Sequence, residues 1–138
     1  MTSRTPHSND SGVYAAPADT SAWRAAHFGE DDVWRALDLS TARDKADLLR
    51  GLARALDFAS DFGHNWDALA DALQDLSWLQ SSRIALELTG GEAFQRNAPE
   101  AWRTALEIFR DAATYWSSRR KTLLVLVHGA SHLPALRA

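Results

Sequence analysis

The chain has 138 residues, a formal charge of −3 at pH 7, and 46% hydrophobic and 24% charged residues. This is the profile of one globular domain and excludes a collagen, a coiled coil or a wholly disordered chain. No cysteine is present, which excludes disulfides and thiolate metal centres and suits a reducing compartment. The acidic balance argues against nucleic acid as a direct partner, because phosphate binding relies on clustered Lys and Arg.

Residues 1–32 are rich in Ser, Thr, Pro, Ala and Asp and lack apolar periodicity, so they are expected to form a flexible extension. They contain no continuous apolar stretch of the kind a secretory signal needs. The greasiest segment, LLVLV at 123–127, falls far short of a membrane span. The expectation is a cytoplasmic protein without membrane contact.

From Val33 the run VWRALDL reads as a strand, STARD as a turn, and KADLLRGLARAL as a helix. Leu48, Leu49, Leu52, Ala53 and Leu56 share one face of that helix, and Asp44 stands where it can cap the start. Asn65 caps a second helix, round which Trp66, Leu69, Leu73 and Leu76 step along one face. RIALEL alternates, with Ile84, Leu86 and Leu88 on one side and Arg83, Ala85 and Glu87 on the other, as a half-buried strand does. Gly90 and Gly91 then read as a turn. The longest helix starts at Pro99 and carries Trp102, Ala105, Leu106, Phe109, Ala113 and Trp116 on one face. TLLVLV follows without alternation, as in a strand covered on both sides. The order β-α-α-β-α-β predicts an α/β domain over 33–130, with a small three-stranded parallel sheet packed with helices and a short tail at 131–138.

Charge singles out one segment. Between Arg54 and Arg83 there is no Lys or Arg, whereas Asp57, Asp61, Asp67, Asp71 and Asp75 all lie there. The last three are four residues apart and share a helix face, where each like-charged pair costs an isolated helix about 0.2–0.5 kcal/mol. The field of the helix N-terminus favours Asp67 but fades within one turn, so it explains neither Asp71 nor Asp75. An anionic patch that meets a cationic cleft explains all three, since it steers encounter and specifies the partner by charge. A carboxylate enzyme fits poorly, because acid and base roles need different environments and these side chains share one. His128 and His132 lack the HExxH context of a metal site, and GxSxG, SxxK and phosphate-binding glycine loops are absent. No catalytic residue, cofactor or metal is therefore expected.

The stretch DFGHNWDALADAL, with Gly63, Asn65, Asp67, Ala68, Leu69, Asp71 and Leu73, resembles the loop and second helix of the barstar family, intracellular inhibitors of barnase-type ribonucleases. Two further segments fall in the matching order: IALEL resembles the family's second strand, and EIFRDA at 107–112 resembles part of its later helix. The resemblance spans roughly 33–128 and implies the same β-α-α-β-α-β arrangement. It further implies that carboxylates occupy the positions that substrate phosphates would take in the nuclease. On that basis Asp71 resembles the central acid, Asp67 its partner one turn earlier, and Asp111 the outlying acid of the long helix. Gly63 and Asn65 match the loop that shapes the approach, and Ala68 the small residue that permits it.

Asp61, His64, Trp66 and Ala70 belong to the same surface but depart from the best-known member, which carries a tyrosine, an acid, a leucine and a tryptophan at these places. Such departures bear on which partner is bound. The resemblance thus implies a basic ribonuclease as partner, barnase-like or the nuclease domain of a toxin, bound one-to-one by a chain that is monomeric when free. It implies an immunity or antitoxin role in the producing cell. The alternative is an acidic module of the same fold directed at a different basic partner.

Overall fold

The computed structural model describes residues 11–136. In chain order these form β1 (Gly12–Ala15), α1 (Thr20–His27), β2 (Val33–Asp38), α2 (Lys45–Ala55), α3 (Trp66–Asp75), a 3-10 turn (Ser77–Leu79), β3 (Arg83–Thr89), α4 (Gly91–Asn97), α5 (Pro99–Ser118) and β4 (Thr122–Val127). The three strands and three main helices expected from the sequence all form. Their helix starts are local in origin: the Asp44 side chain accepts the Asp47 N–H, the Asn65 side chain accepts the Ala68 N–H, and Pro99 opens α5 with no N–H to leave unsatisfied.

The sheet has four parallel strands rather than three, in the order β1-β4-β3-β2. The added strand comes from the segment expected to be a flexible extension. Gly12 to Ala15 pair with Leu124 to Val127, and α1 then crosses the sheet. Residues 1–10 of that expected extension lie outside the described residues. The expected tail is also engaged: Ala15 N–H donates to the Pro134 carbonyl at 2.8 Å, Ala15 bridges Ala135, and Leu133 is buried.

Topology explains which face each helix covers. From β2 to β3 to β4 the chain steps one way across the sheet, whereas from β1 to β2 it passes from one edge to the other in the opposite sense. Right-handed crossovers then require the β1–β2 connection to run over the opposite face from the other two. One face is accordingly packed with Leu48, Leu52, Leu69, Leu73, Phe94, Phe109 and Trp116 against Ile84, Leu86, Leu123 and Val125. On the other, Trp23 of α1 sits with Ala85, Leu124 and Leu126, flanked by Tyr14, Phe28 and Trp34. Because both faces are covered, Ala85 is fully buried, where simple alternation had placed it outside.

A second difference lies at Gly90 and Gly91. Gly90 has φ of +72°, and a Cβ there would stand 2.4 Å from the Ser40 backbone nitrogen, so only glycine lets the loops after β3 and β2 touch. The expected turn is one residue long. It launches α4, whose Phe94 is fully buried and meets Trp102 with ring centroids 6.1 Å apart.

Candidate protein-binding site

The end of α2 and the start of α3 are joined by residues 56–65, and each backbone reversal in this loop has a local cause. Asp57 takes φ of +56°, and the Phe58 N–H reaches back to the Ala53 carbonyl at 2.9 Å, the six-to-one bond that closes a helix C-terminus. Arg35 of β2 clamps this point: its Nη1 donates to the Ala55 carbonyl at 3.0 Å and to Asp57 Oδ2 at 2.9 Å. A turn follows, with the Phe62 N–H on the Ala59 carbonyl. His64 is left-handed at φ of +52°, and its Nδ1 donates to the Phe62 carbonyl at 2.9 Å.

Asn65 has two tasks. Its Oδ1 accepts the Ala68 N–H at 2.8 Å and its Nδ2 donates to the Gly63 carbonyl at 3.3 Å, so one side chain caps α3 and holds the loop on it. Gly63 fits this junction because an added Cβ would lie 3.1 Å from Asn65 Nδ2 and 3.5 Å from the Ala68 Cβ.

Helix α3 buries Leu69 and Leu73 and exposes Asp67, Asp71 and Asp75. The buried Trp116 indole of α5 donates to the Leu73 carbonyl at 2.8 Å, which fixes α3 from below. The helix ends at Leu76, left-handed at φ of +49° and fully buried. A leucine in that conformation costs about 1–2 kcal/mol, and burying its side chain contributes about 1.5–3 kcal/mol, enough to offset it.

Loop and helix together border a groove of about 300 Å3 lined by Phe58, Ala59, Asp61, Phe62, Gly63, Ala68, Asp71, Ala72, Asp75 and Trp78. Its lining sets the aromatic rings of Phe58, Phe62 and Trp78 beside the carboxylates of Asp61, Asp71 and Asp75. Phe58 and Phe62 lie 4.8 Å apart by ring centroids, and Phe58 meets Trp78 edge-on at 6.0 Å and 89°.

The groove brings Asp61, Gly63, Ala68 and Asp71 together. Asp67 is exposed one turn before Asp71, His64 contacts Phe62 with ring centroids 4.9 Å apart, and Trp66 and Ala70 are partly buried on α3 outside the groove lining. Lys45 Nζ stands 5.1 Å over the Trp66 ring. Asp111 is exposed on α5, the helix bonded to α3 through Trp116, and does not line the groove. Three wall residues, Phe58, Phe62 and Trp78, were not singled out in the sequence; the only trace of them is a cluster of aromatics on either side of α3.

Asp67 and Asp71 have no hydrogen-bond or ion-pair partner among the described residues. Asp75 Oδ1 accepts the Ser77 N–H at 3.2 Å. Histidines and acids elsewhere are engaged differently: His128 Nε2 lies 2.7 Å from Glu87 Oε2, and among the described residues no three His, Cys, Asp or Glu side chains are grouped to hold a metal ion. No described helix is long and apolar enough to cross a membrane.

The family model Barstar (barnase inhibitor) matches residues 34–128, from the second residue of β2 to the residue after β4. No curated protein matches the chain. The matched segment takes in the acidic helix, the loop before it and the strands that carry them, and by this match the chain belongs to the barstar family.

Proposed function

We propose that the chain inhibits a basic ribonuclease by stoichiometric occlusion of its active site, in the cytoplasm of the cell that makes it, as protection against that nuclease. The observation that carries this reading is the pair Asp67 and Asp71, one turn apart on the exposed face of α3 and without partners among the described residues. A ribonuclease active site holds Arg, Lys or His against a polyanion, and carboxylates on a rigid helix can take the place of phosphates without being cleavable. Such a helix pays little further entropy on binding, because its cap, its loop and its Trp116 anchor already hold it.

In this reading Asp71 enters the active site and Asp67 pairs beside it. Asp61, Gly63, His64 and Asn65 form the approaching loop, Trp66, Ala68 and Ala70 set how closely the helix can seat, and Asp111 contributes from the neighbouring helix. Binding energy concentrates in the few charge pairs that lose water, while acids at the rim chiefly raise the association rate.

The test is calorimetric titration of the chain into barnase at low and high salt, with cleavage followed alongside. Tight, salt-sensitive, one-to-one binding that abolishes cleavage is expected, and Asp71→Ala should weaken it by about 30-fold or more, the loss typical of a hot-spot residue. No binding and undiminished cleavage would sink the ribonuclease reading and favour the same acidic surface acting on another basic partner.

A further inference from the structure

Trp78 is the one large hydrophobic side chain that is exposed among the described residues, at 38% of its surface. It is nevertheless held in place. Its indole N–H donates to the Leu56 carbonyl at 2.8 Å, and the edge-on Phe58 ring meets it at 6.0 Å. The 3-10 turn that carries it is bracketed by two left-handed residues, Leu76 at φ of +49° and Gln80 at +54°. Neither is glycine, so the chain sustains two unfavourable backbone conformations to present this turn. The side chain that results is amphipathic, rigid and half open to solvent, which is the character of an interface anchor and not of a core residue.

Its surroundings specify what it can anchor. The same groove is lined by Asp61, Asp71 and Asp75, and its lining holds no Lys or Arg. An apolar partner side chain would cover the aromatic wall but leave the carboxylates desolvated and unpaired, at a cost. A lysine would satisfy charge and be attracted to the indole face, but as a compact point charge it cannot stack flat on the ring and reach a carboxylate with a planar fork at once. A guanidinium satisfies both, since it stacks on an aromatic face while its N–H fork reaches carboxylates.

We infer that Trp78 and Asp75 form a subsite at the C-terminal end of the groove that holds one arginine side chain of the partner, beyond the contacts made by Asp67 and Asp71. This deepens the ribonuclease reading above and rests on it. The subsite supplies an aromatic anchor on the 3-10 turn that follows α3.

The experiment measures association and dissociation rates of the chain with barnase for wild type, Asp71→Ala, Trp78→Ala, Trp78→Phe, Asp75→Asn and the Trp78→Ala/Asp75→Asn double variant, with thermal unfolding of each. Trp78→Ala is expected to weaken binding about tenfold, mainly through faster dissociation, with Trp78→Phe recovering most of the loss. Asp75→Asn should cost a few-fold and flatten the salt dependence of association. The double variant should lose less than the product of the single losses, because both residues hold the same guanidinium. If wild type binds and Asp71→Ala weakens binding as expected, yet Trp78→Ala and Asp75→Asn leave affinity within about twofold, the subsite is overturned while the ribonuclease reading stands. If wild type neither binds nor inhibits, both fall together.

Discussion

The two faces of the sheet use carboxylates in opposite ways. On the face covered by α1, Glu87 is largely enclosed and fully employed: it accepts the Trp34 indole N–H at 3.0 Å and pairs with His128 at 2.7 Å. On the face covered by the remaining helices, Asp67 and Asp71 stand in solvent on α3 without a partner among the described residues. An acid whose acceptors are filled within the chain stabilises the fold and has little left to offer another molecule. An acid left open on a rigid helix adds repulsion to the fold and keeps its full interaction energy for a partner. The contrast separates acids engaged within the fold from acids left open on its surface, which the proposed function assigns to a partner.

The two faces also differ in how they are closed. Leucines from several helices close one, whereas α1 closes the other chiefly with a single tryptophan. Trp23 packs over Ala85, Leu124 and Leu126, stacks on His27 at 4.3 Å, and lies near Phe28 and Trp34. Residues 12–27, which build β1 and α1, precede the stretch matched by the family model. Their role in the described structure is to cover apolar positions of β3 and β4 that would otherwise face water.

The largest stability effect belongs to the thinly covered face. Trp23→Ala should lower stability by about 3–5 kcal/mol, the usual cost of emptying a buried tryptophan site; denaturant unfolding measures it. A loss under 1 kcal/mol would show that α1 is not what closes this face. Asp71→Ala should do the reverse, spoiling partner binding while leaving stability unchanged or raised by a few tenths of a kcal/mol as like-charge repulsion is relieved. Clear thermal destabilisation of that variant would mark Asp71 as structural.

Glu87→Gln comes next, with an expected loss of about 1–3 kcal/mol at neutral pH from a disrupted, partly buried network and no change in partner affinity. Its pH dependence is informative. Burial pushes the Glu87 carboxyl up, but hydrogen bonds from His128, Trp34 and Thr20 outweigh this and hold it below its ordinary value of 4.5. A carboxyl depressed by folding stabilises the native state above its unfolded value, and that contribution disappears as pH falls through the folded one. The stability gap between wild type and Glu87→Gln should therefore be full near pH 7 and shrink below about pH 4.5. A gap constant down to pH 3 would show that the charge on Glu87 contributes nothing.

The smallest effect sharpens the boundary between the two roles, because Asn65 serves both. Asn65→Ala removes the α3 cap and the tether to Gly63, so it should cost about 1 kcal/mol in stability and also weaken binding by loosening the loop. Unchanged affinity would mean that the loop needs no preorganisation.

Much of this was legible in the chain itself, and for a common reason. Asp44 and Asn65 were readable as caps because a cap acts three residues away along the chain. The leucine stripes of α2 and α3 follow from helical period, and TLLVLV marks β4 from end to end because a strand buried on both faces needs no alternation. The acidic face of α3 was legible from its four-residue spacing and from the missing cations around it.

Other features required the tertiary structure. The segment GVYA is too short to declare itself, and it becomes a strand only by pairing with residues more than a hundred positions later. Gly90 is no ordinary turn residue because Ser40 lies against it, and Ala85 is buried because α1 arrives over it. The groove wall was equally hidden: Phe58, Phe62 and Trp78 have no common period and meet only when the loop folds back beside α3. Sequence alone determined the local elements, their caps and the acidic sign of the exposed α3 face, since these depend on neighbours along the chain. Tertiary structure decided the fourth strand, the second covered face and the aromatic wall beside the acids, since each depends on contacts between segments that the chain keeps far apart.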